Sequence, residues 1–417
     1  MTTSNQSQNT STSPSPLPFT FGGFTVPAGC RRIFITAELE PSNGDPRIQP
    51  TGFPDLGPVL YADPAEKDGL ICLIESEASM ANRLEEVCME NKYEGTPRAE
   101  LKGLPYIKLT EDGTDQGTFV TASTIDGHRF ASEYIMRAHL MEGPELKKAN
   151  EMKEAPEKND NPTMGKGASG KKQKSKQATP EFVRFVQAYM GMPAKDRCPA
   201  ANVPRIFKLS MEYDPLALLH GFQISVKDKL TFVGLRSPRA ITGSIVGLGC
   251  ERITVPGVRI DPIGTGDAGQ AIFQKPRISA RTIEARFCID VGLLVRMPIR
   301  SEQVQLLLGI ALCKIVWFLS QLKDGLRLRT DCDLRISDKG ARCWTNRIQG
   351  SGEKFDADAL VEAASKELAK AIAQCRFQEQ HSPFLLKHVT KAKGGDKGEE
   401  DGSREPDEQD SAGSEDE

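Results

Sequence analysis

The chain has 417 residues, 38% of them apolar and 27% charged, with a net charge of −3. That length allows a sizeable core in one large domain or in two to three ordinary ones, and the charge balance excludes a protein that is basic over its whole surface. The ten cysteines are scattered, with no Cys-x-x-Cys pair and no histidine at zinc-ligand spacing, so they read as buried, reduced thiols of a cytosolic protein.

The first segment, MTTSNQSQNTSTSPSPLP, lacks the basic start and apolar run of a signal peptide, and residues 1–20 read as a disordered arm. RRIFITAELE (31–40) and LICLIES (70–76) read as strands from their apolar and β-branched content. Between them runs RIQPTGFPDLGPVLYADP, Arg47 to Pro64, stiffened by four prolines and carrying Ile48, Phe53, Leu56, Val59, Leu60 and Tyr61. A connecting loop is usually short and polar, so this one either docks a partner or folds back on its own core. A helix follows over about 77–91: Ser76 can cap it, and Met80, Leu84, Val87 and Cys88 form its apolar stripe, with Asn82, Arg83 and Glu86 on the surface. A second helix is expected over 123–138.

Residues 146–179 read as an unfolded insertion, with nine lysines and four acids between Leu146 and Ala178. It either touches RNA phosphates or is a solvated loop. Helices are expected at 181–190 and 214–221, strands with long turns over 230–260, and a strand or strand pair over 282–299. Residues 304–322 are apolar enough for a membrane span, yet Lys314 in the middle and flanking glutamines favour a buried core helix, expected over 302–322, hence no membrane contact. A half-buried strand at 325–336 and an amphipathic helix at 356–375 complete the fold. Residues 391–417 carry eleven acids against four bases and read as a disordered tail. The strand–helix–strand order points to an α+β sandwich rather than a doubly wound sheet.

Gly264, Gly266 and Gly269 spell G-x-G-x-x-G, with Glu284 twenty residues after the first glycine. No helix opens there, since QAIFQKPRISA is β-branched and broken by Pro276, so a glycine-rich turn is expected and no cofactor. Five histidines and no G-x-S-x-G elbow make a histidine-centred triad hard to assemble; His128, beside Arg129, is the one retained. Asp331 and Asp333 lack a further ligand cluster, so no metal site is expected. Arg236, Arg239, Arg252 and Arg259 lie in a glycine-interrupted stretch where the backbone can approach phosphate and guanidinium forks can bind it. Only Phe232 is aromatic nearby, which suits backbone grip rather than base stacking; ordinary surface arginines are the alternative.

Three motifs, RIQPTGFPDLG, ESEASMANRLE and the segment STIDGHRFASEYI carrying His128–Arg129, together resemble the RAMP-type backbone subunit of type I-U (I-G) CRISPR effector complexes, which plays the Cas-seven role there. The resemblance spans about residues 31–140. It implies an RRM-like (ferredoxin-like) core with large insertions over 21–390, and a non-catalytic, cytoplasmic antiviral subunit. Its implied partners are CRISPR RNA, target DNA through the guide, further copies of itself and the other subunits of a Cascade-like complex. Residue by residue, it assigns guide contacts to Arg47 and Gln49, Asn82 and Arg83, and His128 and Arg129. Glu133 departs from it, standing where the family has a proline. The rival reading is a RAMP-superfamily endoribonuclease that processes CRISPR RNA, with His128 as general acid or base.

Overall fold

Alternation builds the centre of the molecule. In IFITAELEP, Ile33, Ile35, Ala37 and Leu39 enter the core while Phe34, Thr36, Glu38 and Glu40 stay half-buried on the other side, as in a strand with one covered face. The computed structural model describes residues 18–48, 50, 52–53, 57–66, 69–151, 179–192, 199–224, 236–259, 271–329 and 332–389.

The elements in chain order begin with β1 (Ile33–Pro41), β2 (Arg47–Ile48), β3 (Leu60–Ala62), β4 (Leu70–Glu75) and α1 (Glu77–Glu86). Next come β5 (Ile107–Thr110), β6 (Phe119–Ala122), α2 (Glu133–Met136), β7 (His139–Leu140), α3 (Pro144–Glu151), α4 (Glu181–Met190) and α5 (Arg205–Tyr213). The chain continues with β8 (Ile241–Arg259), β9 (Ala271–Ile289), α6 (Val291–Arg296), α7 (Ser301–Gln321), β10 (Leu326–Arg329) and β11 (Cys332–Thr345). It closes with α8 (Ala357–Cys375) and β12 (Phe384–Lys387).

The main sheet among the described residues has nine strands, with the central path β10–β11–β1–β9–β8–β4–β3 and antiparallel pairing throughout. Its middle four, β11–β1–β9–β8, are the fourth, first, third and second strands of a β-α-β-β-α-β unit whose helices are α1 and α7. This is the ferredoxin-like order, so the α+β, RRM-like expectation holds. Insertions separate β1 from α1 and α1 from β8. A second sheet, β6–β5–β12–β7, takes the C-terminal strand between two strands of the later insertion.

α1 and α7 pack on the covered face, and α8 lies against α7. α7 is apolar all round because protein surrounds it: Leu306 to Leu319 are buried, and Phe21 packs so closely that a Cβ on Gly309 would sit 2.9 Å from its ring. Lys314, fully buried, donates from Nζ to the carbonyl of Leu84 at 2.9 Å, one of the carbonyls left open at the end of α1. No disulfide joins the described cysteines; all are buried except the half-buried Cys288, and Cys198 lies outside the described residues.

Several boundaries differ from the sequence reading. Phe19–Phe21 pairs with Phe24–Val26, so a strand pair includes the last residues of the expected arm. The helix expected over 77–91 ends at Glu86, because the Cys88 carbonyl accepts from Arg98 N (2.9 Å) and Met89–Asn91 turns into a hairpin with Thr96–Pro97. The helix expected over 123–138 is a turn, one 3-10 turn at Arg129–Ala131 and the four-residue α2. Arg129 has φ +57, and Ser132 starts a new helix by accepting from Ile135 N, with Glu133 at a first position that suits proline or an acid equally. Residues 146–151, expected in the insertion, are helical instead: α3 runs to Glu151, with Ala149 buried, and 152–178 lie outside the described residues. At 214–221 only Ala217–His220 is helical, and the longer helix α5 precedes it. The 282–299 stretch is β9 followed by α6, which Asp290 caps. Pro276 does not break β9 but sits opposite Thr254, and the GTGDAG glycines lie outside the described residues.

The proline-stiffened segment folds back on its own core at its first residues. Ile48 is fully buried where β2 pairs with β9, whereas Val59 and Tyr61 remain about half exposed along the outer strand β3. The side chains of Phe53 and Leu56 lie outside the described residues.

Candidate nucleic-acid interface

α1 organises half of the expected site. Its outward stripe is Ala78, Asn82 and Glu86, spaced four apart, and Asn82 is exposed as expected. Beside this stripe the Arg83 Nε donates to the buried carboxylate of Glu75 at 2.9 Å, and Ser79 Oγ donates to the same oxygen. Arg83 is thus tied to the core edge.

Arg129 is the clear correction. It was expected on the surface next to His128, but it is 6% exposed, paired through Nη2 with the buried Glu85 and donating from Nη1 to the Gly127 carbonyl at 2.7 Å. The left-handed backbone at Arg129 turns its side chain inward while leaving His128 exposed. Beneath lies a buried polar group that sequence reasoning missed. Asp214 Oδ2 accepts from Phe130 N at 3.2 Å, and burial pushes its carboxyl up to about 7 against the pull of that N–H and of Arg129. Burial also raises the Glu85 carboxyl, opposed by Arg129 and Lys314. His220 is driven well below its ordinary pKa by burial, then by Lys314, Arg129 and Arg239. No local pattern announces this cluster, because its members come from α1, α7, the 3-10 turn at Arg129, the end of α5 and the short helix Ala217–His220.

Arg236 and Arg239 are exposed, and neither forms an ion pair with a carboxylate among the described residues. Their backbone is fixed: Arg236–Ser237 pairs with Phe222–Gln223, and a Cβ on Gly221 (φ +74) would lie 2.6 Å from the Ser237 carbonyl oxygen. Arg239 donates from Nη1 to the carbonyl of Glu77, the first residue of α1, at 3.3 Å.

The rest of the expected set lies elsewhere. β8 and β9 pair from Ile241 opposite Ile289 to Arg259 opposite Ala271. Beyond Arg252 and Ile278 they pair only with each other among the described residues, making a two-stranded arm. Arg252 is exposed near its base, in a row with Ile278 and Ile48. Arg47 stands in the next row, but its Nε is bonded to Asp45 at 2.8 Å, which holds the Asp45 carboxyl down at about 2. Arg259 ends β8, with its side chain outside the described residues, as is Gln49. Asn82 and Arg83 thus stand on α1 itself, Arg239 is bonded to its first residue, and His128 precedes the Arg129 that pairs with Glu85 of α1; Arg236 lies three residues before Arg239 on its short strand, Arg47 and Arg252 stand at the base of the arm, and Arg259 stands at the end of β8. Among the described residues no three His, Cys, Asp or Glu side chains form a metal-binding group; Asp333 is bonded to Ser42 Oγ at 3.0 Å, and Asp331 lies outside those residues.

The sequence profile of the family described as CRISPR-associated protein GSU0053 matches residues 33–252, more than half of the chain. The chain belongs to this family. The GSU0053 match starts with β1, ends inside β8 and contains all three motifs, in agreement with the resemblance to the RAMP-type, Cas-seven family of type I-U. Membership gives the protein a role in a CRISPR system. The GSU0053 profile leaves out β9, α7 and β11, three of the six elements that close the ferredoxin-like unit. A comparison with curated proteins gives no match.

Proposed function

We propose that this member of the GSU0053 family is a CRISPR RNA-binding backbone subunit of a cytoplasmic, Cascade-like effector complex. Several copies lie along one guide, hold its phosphates and leave its bases free to pair with target DNA. The observation that carries the reading is the Arg236–Arg239 pair: two exposed guanidiniums on a fixed backbone, free of carboxylate ion pairs among the described residues, in a protein of a CRISPR family. Phosphate contacts of this kind position a strand without reading its sequence, which suits a scaffold that must accept any guide.

An endoribonuclease would need an acid–base partner and an electrostatic stabiliser beside His128. The neighbouring guanidinium, Arg129, is buried and committed to Glu85, which weighs against that chemistry. The test is to express the protein with a CRISPR array and size the RNA that copurifies, then to incubate the protein with labelled repeat RNA without metal. Bound RNA of defined length and uncut repeat RNA are expected. Cleavage, or the absence of bound RNA, would overturn the reading.

A further inference from the structure

Three arginines absent from the expected set lie at the same end of the main sheet as Arg236 and Arg239. Ile33, the first residue of β1, is opposite both Thr345, the last of β11, and Ile289, the last of β9, and Ile289 is opposite Ile241, the first of β8. One end of the four-strand core is therefore made, in order, of 346–347, 31–32, 290–292 and 239–240. Hydrogen bonds continue the ladder past the strand ends: Asn346 N to Arg32 O (2.8 Å), Arg31 N to Asn346 Oδ1 (2.7 Å), Gly292 N to Arg31 O (2.9 Å) and Asp290 N to Ala240 O (2.7 Å). With neighbouring strands about 4.8 Å apart, the row from β11 to β8 is roughly 14 Å long.

Arg347, Arg31, Arg32 and Arg239 are all exposed along this row. Asp290 is the one acid between them, and it is engaged twice: Oδ2 pairs with Arg32 at 3.3 Å and Oδ1 accepts from Leu293 N at 2.8 Å. Glu77 adds an exposed carboxylate beside Arg239. Among the described residues neither Arg31 nor Arg347 pairs with a carboxylate. Further along the same strands Arg335 pairs with Glu40 and Lys339 with Glu38, each at 2.6 Å, while Arg342 donates to the Ser351 carbonyl at 2.9 Å. At this end the cations outnumber the acids and are held on a hydrogen-bonded backbone, an arrangement that attracts a polyanion most at low ionic strength.

We propose that Arg31 and Arg347, with Arg32, extend the Arg236–Arg239 pair into a single phosphate-binding rim that takes successive phosphates of one RNA strand across the strand ends. The proposal rests on the RNA-binding reading above. It adds residues just before β1 and just after β11, all of them outside the residues 33–252 that the family profile matches.

The test is the salt dependence of binding to a single-stranded RNA of arbitrary sequence, with the full chain and the double variants Arg31→Gln/Arg347→Gln and Arg236→Gln/Arg239→Gln. Each lost phosphate contact lowers the slope of log affinity against log salt by roughly 0.7, so each double variant should lose about 1.4. Arg335→Gln, a cation already paired with Glu40, should leave the slope unchanged. Arg31→Lys/Arg347→Lys, which keeps the charges, should retain the slope and guards against a misfolded glutamine variant. A slope unchanged in Arg31→Gln/Arg347→Gln while Arg236→Gln/Arg239→Gln lowers it overturns the rim and leaves the RNA-binding reading standing. An equal loss in Arg335→Gln shows a net-charge effect and overturns it too. A loss seen with single-stranded DNA but not with RNA overturns the assignment to RNA, and no RNA binding by the unaltered protein overturns both proposals.

Discussion

At the scale of the residue, two neighbours in sequence have opposite fates. Arg129 sits inside against Glu85 while His128 faces solvent, so their substitutions should separate. Arg129→Met leaves the Glu85 carboxylate buried without its partner and should destabilise by about 3–5 kcal/mol, whereas His128→Ala should stay within about 0.5 kcal/mol of the parent in urea melts. Asp214 gives a pH signature. Its folded pKa of about 7 lies above the ordinary 3.8, so its contribution is fully present below the unfolded value and is lost as pH rises through 7. Buried His220 works the other way, its lowered pKa removing stability as pH falls below 6.5. Asp214→Asn removes only the first effect. Between pH 5 and pH 8 the variant should therefore gain on the parent by on the order of 2 kcal/mol, read as the difference in urea midpoints multiplied by the common slope.

At the scale of the element, α3 marks where the lysine-rich insertion starts to matter for the fold. Ala149 is fully buried, its carbonyl accepts from Arg184 Nε at 3.0 Å, and the Tyr213 hydroxyl donates to Glu145 at 3.0 Å, so α3 ties α4 to α5. Replacing 153–178 by a short Gly/Ser linker should leave the melting temperature within a few degrees, because closure entropy changes slowly with loop length. Extending the replacement back to 147 removes the buried Ala149 and should lower the melting temperature clearly below that of the shorter replacement. Equal melting temperatures for the two variants would show that the last turn of α3 carries no stability.

At the scale of the whole molecule, the C-terminal strand divides the tail from the fold. β12 lies between β5 and β7 with Leu386 fully buried, so truncation before Phe384 should unfold the second sheet, while removal of 391–417 should leave the melt unchanged. The removed segment carries eleven acids and four bases. Its loss should strengthen nonspecific RNA binding at low salt and matter little at high salt, where its charges are already screened. Weaker or unchanged affinity of the truncated protein at low salt would show that the tail does not compete with RNA.

The local periods were sufficient for β1, β4, the start of α1, α7 and α8, because each exposes a face or is enclosed over enough residues for its pattern to dominate. The three motifs were sufficient for the family, and the run of strands and helices for an α+β class. The contacts that decide the candidate site were not legible. The inward turn of Arg129 depends on Glu85 and Asp214, 44 residues before it and 85 after it. The rim of arginines depends on strand register that places residues 31–32 and 346–347 side by side. Sequence spacing specifies which face of an element a side chain occupies, since that is set by backbone geometry within a few residues. Which distant carboxylate neutralises a cation, and which cation is left for a ligand, is decided only when hydrogen-bonded strands and packed helices bring those residues together.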